Sequence, residues 1–222
     1  MEELMQNVMD KKRVIFITDG DDVARQVIEE VAKQIHGRCI SRSAGNPSPY
    51  SGYDLVQMIK ATPYDPILIM FDDNGKGAKG DGERAMEFIA KHPDIVVLGA
   101  VAVASNTKFV DGTTIDISID RNGRVIESGI NKDGETVGGP LRVYGDTVDI
   151  LDKIDLPIIV GIGDIGKMGG RDHLKHGSPI TLKAIQTILE WSEQDEKGFE
   201  KAKKAKTRSE SISSRKNKPT SE

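Results

Sequence analysis

The sequence predicts an α/β fold: a mostly parallel sheet with crossover helices, one antiparallel hairpin and a charged C-terminal tail. Three observations predict it. Short apolar runs rich in β-branched residues alternate with segments of helical period. Three of those runs end in loops of aspartate and glycine, as strands of an open sheet do at their carboxyl edge. One stretch midway alternates apolar and polar residues instead, the pattern of strands with one wet face.

The first run, Arg13-Val-Ile-Phe-Ile-Thr18, breaks at Asp19-Gly20-Asp21-Asp22. Beyond it Val23, Val27, Val31 and Ile35 recur every fourth residue, with Ala24 and Ile28 beside them, as one apolar face of a helix. Asp21 or Asp22 is placed to cap that helix, and His36-Gly37 to end it. Arg38 to Ser43 reads as a short strand, and a loop holding Gly45, Pro47, Pro49 and Gly52 leads to a short helix over Tyr53 to Ala61. Thr62-Pro-Tyr-Asp-Pro66 launches the strand Ile67-Leu-Ile-Met-Phe71, which runs into the glycine-rich loop Asp72 to Gly82. A helix over Glu83 to Lys91 and a buried strand over Ile95 to Ala104 follow.

Thr114 to Ile119 and Arg124 to Ile130 alternate in period two around Asn122-Gly123 and predict the hairpin. A helix over Asp146 to Ile154 precedes a last strand, Pro157 to Val160, and the loop Gly161 to Gly170. The final helix is expected to start with Ser178 as N-cap and Pro179 in its first turn, and to run to about Ser192.

Organisation follows from charge. The 222 residues carry 31 Lys and Arg against 35 Asp and Glu, a net −4. Residues 193–222 hold nine basic and six acidic residues, so this stretch is +3 and the first 192 residues are −7. The expected parts are a flexible N-terminus over 1–12, a single α/β domain over 13–192 and a disordered charged tail over 193–222. No global positive field invites nucleic acid. Cys39 is the single cysteine, which excludes an internal disulfide and a cysteine-built zinc site. Met1 to Lys12 is polar and lacks the pattern of a secretory signal. The longest uncharged apolar stretch, Ile95 to Ala104, is about half of the roughly 20 residues that a bilayer span needs. The chain is therefore expected to be soluble, with any membrane role peripheral.

Chemistry is expected where three loops leave strand ends. Asp19-Gly20-Asp21-Asp22-Val23 fits the D-x-D-x-V pattern of haloacid dehalogenase-type phosphatases, but a helix follows at once where those enzymes insert a squiggle and flap. Asp19 together with Asp72, Asp73 and Asn74 resembles the toprim domain, in which a strand-end glutamate and a later D-x-D hold Mg²⁺. Here Asp19 stands for the glutamate and Asn74 for the second aspartate of the pair, which leaves Asp19, Asp72 and Asp73 as candidate ligands for a single Mg²⁺ or Ca²⁺. The alternative for these three residues is a role as helix caps and turn formers. Gly161-Ile-Gly-Asp-Ile-Gly-Lys-Met168 fits G-x-G-x-x-G, and fits a P-loop except for the missing hydroxyl at Met168. Gly161, Gly163, Gly166 and Lys167 are thus candidates for a phosphate or cofactor, with Asp164 placing a negative charge inside the same loop. His36, His92, His173 and His176 form no ligand set by spacing.

Several blocks resemble one family as a group: Val14 to Asp21, Gly37 to Ser41, Thr62 to Asp73 (TPYDPILIMFDD), Val101 to Ala104, Gly145 to Val148, Pro157 to Met168 (PIIVGIGDIGKM) and Gly177 to Thr181. Together, over about residues 12 to 192, they resemble the stage V sporulation protein AE family of endospore-forming bacteria. The resemblance implies an accessory role in sporulation and spore germination, beside the membrane proteins of the same operon that move calcium dipicolinate across the spore inner membrane. It implies a location in the cytoplasm or forespore, peripheral to that membrane, and supplies no catalytic residues. The role expected from the residues is therefore that of an interaction protein, with a small-molecule ligand at the acidic sheet edge. A toprim-like, divalent-metal-dependent enzyme or sensor for a phosphate-containing ligand is the alternative.

Overall fold

The structure is a computed structural model and describes residues 11–74, 80–106 and 110–194. Its first unit, Met1–Ile188, holds β1 (Lys12–Ile17), α1 (Asp22–Gln34), β2 (Arg38–Cys39), α2 (Gly52–Ala61), β3 (Ile67–Met70), α3 (Asp81–Ala90) and β4 (Ile95–Val103). Short strands β5 (Thr113–Thr114), β6 (Ile117–Ile119), β7 (Val125–Ile126), β8 (Gly129–Ile130), β9 (Thr136–Val137) and β10 (Arg142–Val143) come next, then β11 (Ile159–Ile162). A last helix, α4, covers residues 179–194; of the second unit, Leu189–Glu222, the described part is the helical stretch 189–194. The expected flexible segment 1–12 and charged tail 193–222 lie outside the described residues, apart from 11–12 and 193–194.

The main sheet is ordered β2-β3-β1-β4-β11-β6-β7. Every pairing is parallel except β6 with β7, the predicted hairpin. Its turn forms because Asp120 accepts from the Asn122 and Arg124 amides while Gly123 takes φ 74°. Alternation along β1 sends Val14 and Phe16 into a core with Leu55 and Ile59 of α2 and Ala85, Met86 and Ile89 of α3. Ile15 and Ile17 point to the opposite face, towards α1. Gly99 is paired with Ile15, and a Cβ there would meet Ile188 at 3.0 Å, so the part of α4 up to Ile188 lies on the α1 face. The rings of Phe16 and Phe71 pack edge to face at 5.2 Å, a geometry that contributes about 0.5–1.5 kcal/mol beyond burial.

Four expectations are corrected. The strand expected over Arg38–Ser43 ends at Cys39, because Ser41–Ser43 coils into a 3₁₀ turn that brings the Ser43 hydroxyl to the Met70 amide. Each arm of the midway stretch is split in two. At Asp116 the carboxylate takes the Ile159 amide and the chain leaves β5, paired with β10, for β6, paired with β11. Beyond β7, Gly129–Ile130 pairs instead with Thr136–Val137. The helix expected over Asp146–Ile154 is reduced to one 3₁₀ turn, Leu151–Lys153. Thr147 sits at φ 60°, and the Asp149 and Asp152 carboxylates accept from the amides of Asp111, Gly112 and Thr114, so tertiary hydrogen bonds outcompete a helix. Finally, Ser178 does not cap α4. It sits at φ 48° with its hydroxyl buried and unpartnered, and Asp172 takes the Ile180 and Thr181 amides instead.

Candidate functional site

The chain moves from β1 to β2 on one side of the sheet, and after β3 crosses to β4 on the other, so the strand order reverses at β1 and β4. Ligands of open α/β sheets bind at such a reversal, beyond the carboxyl ends. Thr18 shapes the crevice. Its hydroxyl accepts from the Val103 amide at 2.9 Å and reaches the Val101 carbonyl at 3.5 Å, stitching the end of β1 to β4. Gly20 follows, where a Cβ would lie 2.9 Å from the Gly45 carbonyl and 3.1 Å from Cβ of Asp72; no side chain fits between these two loops.

Asp19, two residues beyond the end of β1, is half-buried, and its Oδ1 accepts from the Asp21 amide at 3.2 Å. Burial, then the charges of Asp21, Asp164 and Asp72, push its pKa up to about 7. Asp72 is buried; its Oδ1 accepts from the Asn74 amide, and its own amide donates to the Ser48 hydroxyl. Burial and the adjoining carboxyl of Asp146, to which it is hydrogen-bonded, push Asp72 up to about 6. Asp21 behaves oppositely: burial works against its charge, but the Ala24 amide and the Lys167 ammonium outweigh it and lower the pKa. Lys167 Nζ donates to Asp21 and to Asp164, each at 3.0 Å, and these two acids raise its pKa against the effect of burial. One lysine thus serves two carboxylates, while burial and neighbouring carboxylates shift Asp19 and Asp72 towards their protonated forms.

Of the three candidate metal ligands, Asp19 and Asp72 meet in this crevice. Asp73 is turned away: its two oxygens accept from the Gly82 and Glu83 amides at 2.7 and 3.0 Å and cap α3. A Cβ at Gly80 would lie 2.0 Å from that carboxylate, so residue 80 is glycine for this cap. Among the described residues no group of three His, Cys, Asp or Glu is arranged to hold a metal ion. The donors that do converge are hard carboxylate oxygens, the type that suits Mg²⁺ or Ca²⁺.

The glycine loop is spent on packing. Gly161 lies within β11, and Gly163 is pressed against the Lys132–Gly134 turn, whose nearest backbone atom would be 2.6 Å from a Cβ. The Asp164, Gly166 and Lys167 amides donate to Lys132, Asp172 and Asp164 rather than opening to a phosphate, and Lys167 is held by its two aspartates. Gly161→Ala is accordingly expected to cost about 1–3 kcal/mol of stability. Its Cβ would meet Ile115 Cδ1 at 2.7 Å and Val143 Cγ2 at 2.8 Å, and a urea melt unchanged from wild type would show that the core yields. Cys39 is buried, with its thiol pushed up to about 12 chiefly by that burial, so it is no nucleophile.

Asp146 is the member of the crevice that sequence reading misses as a site residue. It reaches Asp72 because Gly145 lies flat on β4, where a Cβ would be 2.2 Å from the Val103 carbonyl, and because the Asp146 amide donates to the Ser105 hydroxyl. A glycine-aspartate pair in a loop gives no sequence signal for that placement.

No curated protein and no solved structure matches the chain. The family model described as stage V sporulation protein AE1 matches residues 13–192, which spans β1 to α4 and includes every residue of the acidic crevice. The chain belongs to the stage V sporulation protein AE1 family and is a sporulation-related protein.

Proposed function

We propose that this protein is an accessory of sporulation and spore germination that acts beside the membrane proteins moving calcium dipicolinate across the spore inner membrane, docking on them from the cytoplasmic or forespore side. The family match over residues 13–192 carries this reading. Among the described residues no helix is long and apolar enough to cross a membrane, which favours docking over transport. The +3 of residues 193–222 adds little to such docking: each lysine near an anionic surface contributes about 1 kcal/mol, and six interspersed acids cancel much of it. Protein contacts then dominate. Membranes from sporulating cells should retain the full-length protein on sedimentation, membranes lacking the operon's membrane proteins should not, and removing residues 193–222 should leave most of the binding. Equal retention by both membranes overturns the reading.

A second reading is favoured by the crowding of Asp19, Asp72, Asp146 and Asp164: the crevice takes a divalent cation, free or as a chelate, as a sensor or a toprim-like enzyme would. A cation entering there displaces the protons held by Asp19 and Asp72. Calorimetric titration at pH 6.5 with Ca²⁺, Mg²⁺ and calcium dipicolinate should give heat that scales with the ionisation enthalpy of the buffer and that Asp72→Ala loses. Absence of heat with all three overturns this reading.

A further inference from the structure

The free edge of the sheet at β2, with α2 beside it, differs from the rest of the domain in charge and in side-chain type. Residues 33–64 hold Lys33, Arg38, Arg42 and Lys60 against one acid, Asp54, so this stretch is +3 within the 192 residues that carry −7. Lys33 is paired with Glu30, and Lys60 with Asp94. Arg38 and Arg42 are exposed and have no acidic partner among the described residues. Each lies near a ring instead: Arg38 is 5.8 Å from the centroid of Tyr64, and Arg42 is 4.9 Å from that of Tyr50, to whose hydroxyl it donates. A ring or a hydroxyl attracts a guanidinium but brings no counter-charge, so two positive charges on this face stay uncompensated.

Three of the four tyrosines, Tyr50, Tyr53 and Tyr64, lie in the same stretch. Tyr53 is 63% exposed and Tyr64 48%, and Phe88 of α3, which would touch a Cβ at Gly52, is 45% exposed. Two clefts flank them. The first, of about 460 Å³, is lined by Arg38, Arg42, Met58 and Tyr64 among others and has no carboxylate in its wall. The second, of about 500 Å³, lies between α2 and α3 and is lined by Tyr50, Tyr53 and Phe88 among others; its Arg84 is already paired with Asp81. Arg42 stands in one wall and Tyr50 in the other, so their contact joins the two clefts. One cleft is basic, and the next is neutral and aromatic.

That pairing selects an occupant. Tyr, Arg and Met are the side chains that dominate protein–protein contacts. Uncompensated guanidiniums favour carboxylates, and an aromatic cleft favours a large apolar side chain. A strand-forming partner finds no ladder to extend, because β2 is two residues long and is followed by the Ser41–Ser43 turn. A flat anionic bilayer would meet the arginines and leave both clefts unfilled.

We propose that the face formed by the free edge of β2 and the exposed side of α2 docks an acidic polypeptide segment of a partner protein, with carboxylates at Arg38 and Arg42 and a large apolar side chain in the cleft of Tyr53 and Phe88. This face gives the docking role proposed above its surface and rests on that reading.

Random-peptide display against the full-length protein should enrich segments that combine Asp or Glu with Phe, Leu or Trp. Arg38→Glu together with Arg42→Glu should weaken the enriched peptides at least tenfold, and Tyr53→Ala should weaken them too. Val125→Ser, on β7 at the opposite edge of the sheet, should not. All four side chains are exposed, so thermal melts should overlay that of wild type. Arg42→Gln removes one charge without reversing it, and supplies the same comparison if the double variant loses its fold. No enrichment, enriched peptides without acids, or peptides that bind the double variant as tightly as wild type would each overturn the proposal. So would binding to protein-free phosphatidylglycerol vesicles that the double variant loses, which makes the face a lipid surface, or a wild-type dimer that the double variant dissociates, which makes the occupant a second copy. In the membrane sedimentation described above, equal retention of wild type and the double variant overturns this proposal and leaves the docking role standing. Peptide binding that the double variant loses, without any retention of wild type by those membranes, supports the face and overturns the docking role.

Discussion

Asp172→Ala is expected to lower the unfolding free energy by about 3–5 kcal/mol. Asp172 is completely buried and accepts four hydrogen bonds: from the Gly166 amide at 3.0 Å, the Ile180 amide at 2.8 Å, the Thr181 amide at 3.0 Å and the Thr181 hydroxyl at 2.6 Å. Alanine would remove the cap of α4 and leave three buried amides and a hydroxyl facing one another across a void, each unmet donor costing about 1–3 kcal/mol before relaxation. The consequence reaches the crevice, because the Gly166 contact sets the course of the loop that carries Lys167 to Asp21 and Asp164. Asp172→Asn keeps one acceptor oxygen and should recover part of the loss. Urea unfolding of the three proteins measures this, and a loss below about 1 kcal/mol for alanine would show that α4 does not depend on this anchor.

Asp19→Asn is expected to stabilise the protein at pH 8 by about 1–3 kcal/mol and to be nearly neutral at pH 4. Asp19 titrates near 7 in the folded protein against 3.8 in the unfolded chain, so between these values the folded state binds the extra proton. Stability is then fully present below about pH 4 and falls as pH rises towards 7. The shift corresponds to a ceiling of about 4 kcal/mol, which partial solvent access at Asp19 reduces. Asparagine carries no titration and keeps the acceptor for the Asp21 amide, so the difference between the two proteins should grow through this window and level off above it. Urea melts at pH 4, 6 and 8 decide it; parallel pH profiles would show that the carboxylate is solvated and unstrained. Added Ca²⁺ separates the roles of this residue, since a cation held in the crevice should stabilise wild type at pH 8 and not Asp19→Asn.

The extent to which the chain announces this structure depends on whether its signals are local. Val23, Val27 and Val31 announce α1 because helical period is written in consecutive residues, and a cap at Asp21 or Asp22 is legible because a cap lies one residue before the helix it serves; the structure selects Asp21. Ile67 to Met70 announces a strand buried on both faces, and Asn122-Gly123 a hairpin, for the same reason. Asp73 and Asp172 cap helices that begin eight and seven residues later, by the course of loops between them, and no spacing rule reports that.

The sequence by itself determined the class of sheet, the order of its main strands and helices along the chain, and the gathering of acids after strand ends, since each follows from composition and period over a few residues. Only the tertiary structure decided which acids meet. It joins Asp19 to Asp72 and Asp72 to Asp146, withdraws Asp73 into a cap, and spends Lys167 and the glycines of its loop on protein contacts. The reason is physical. A buried carboxylate must find donors or keep its proton, and which of these happens depends on neighbours that lie tens of residues away along the chain.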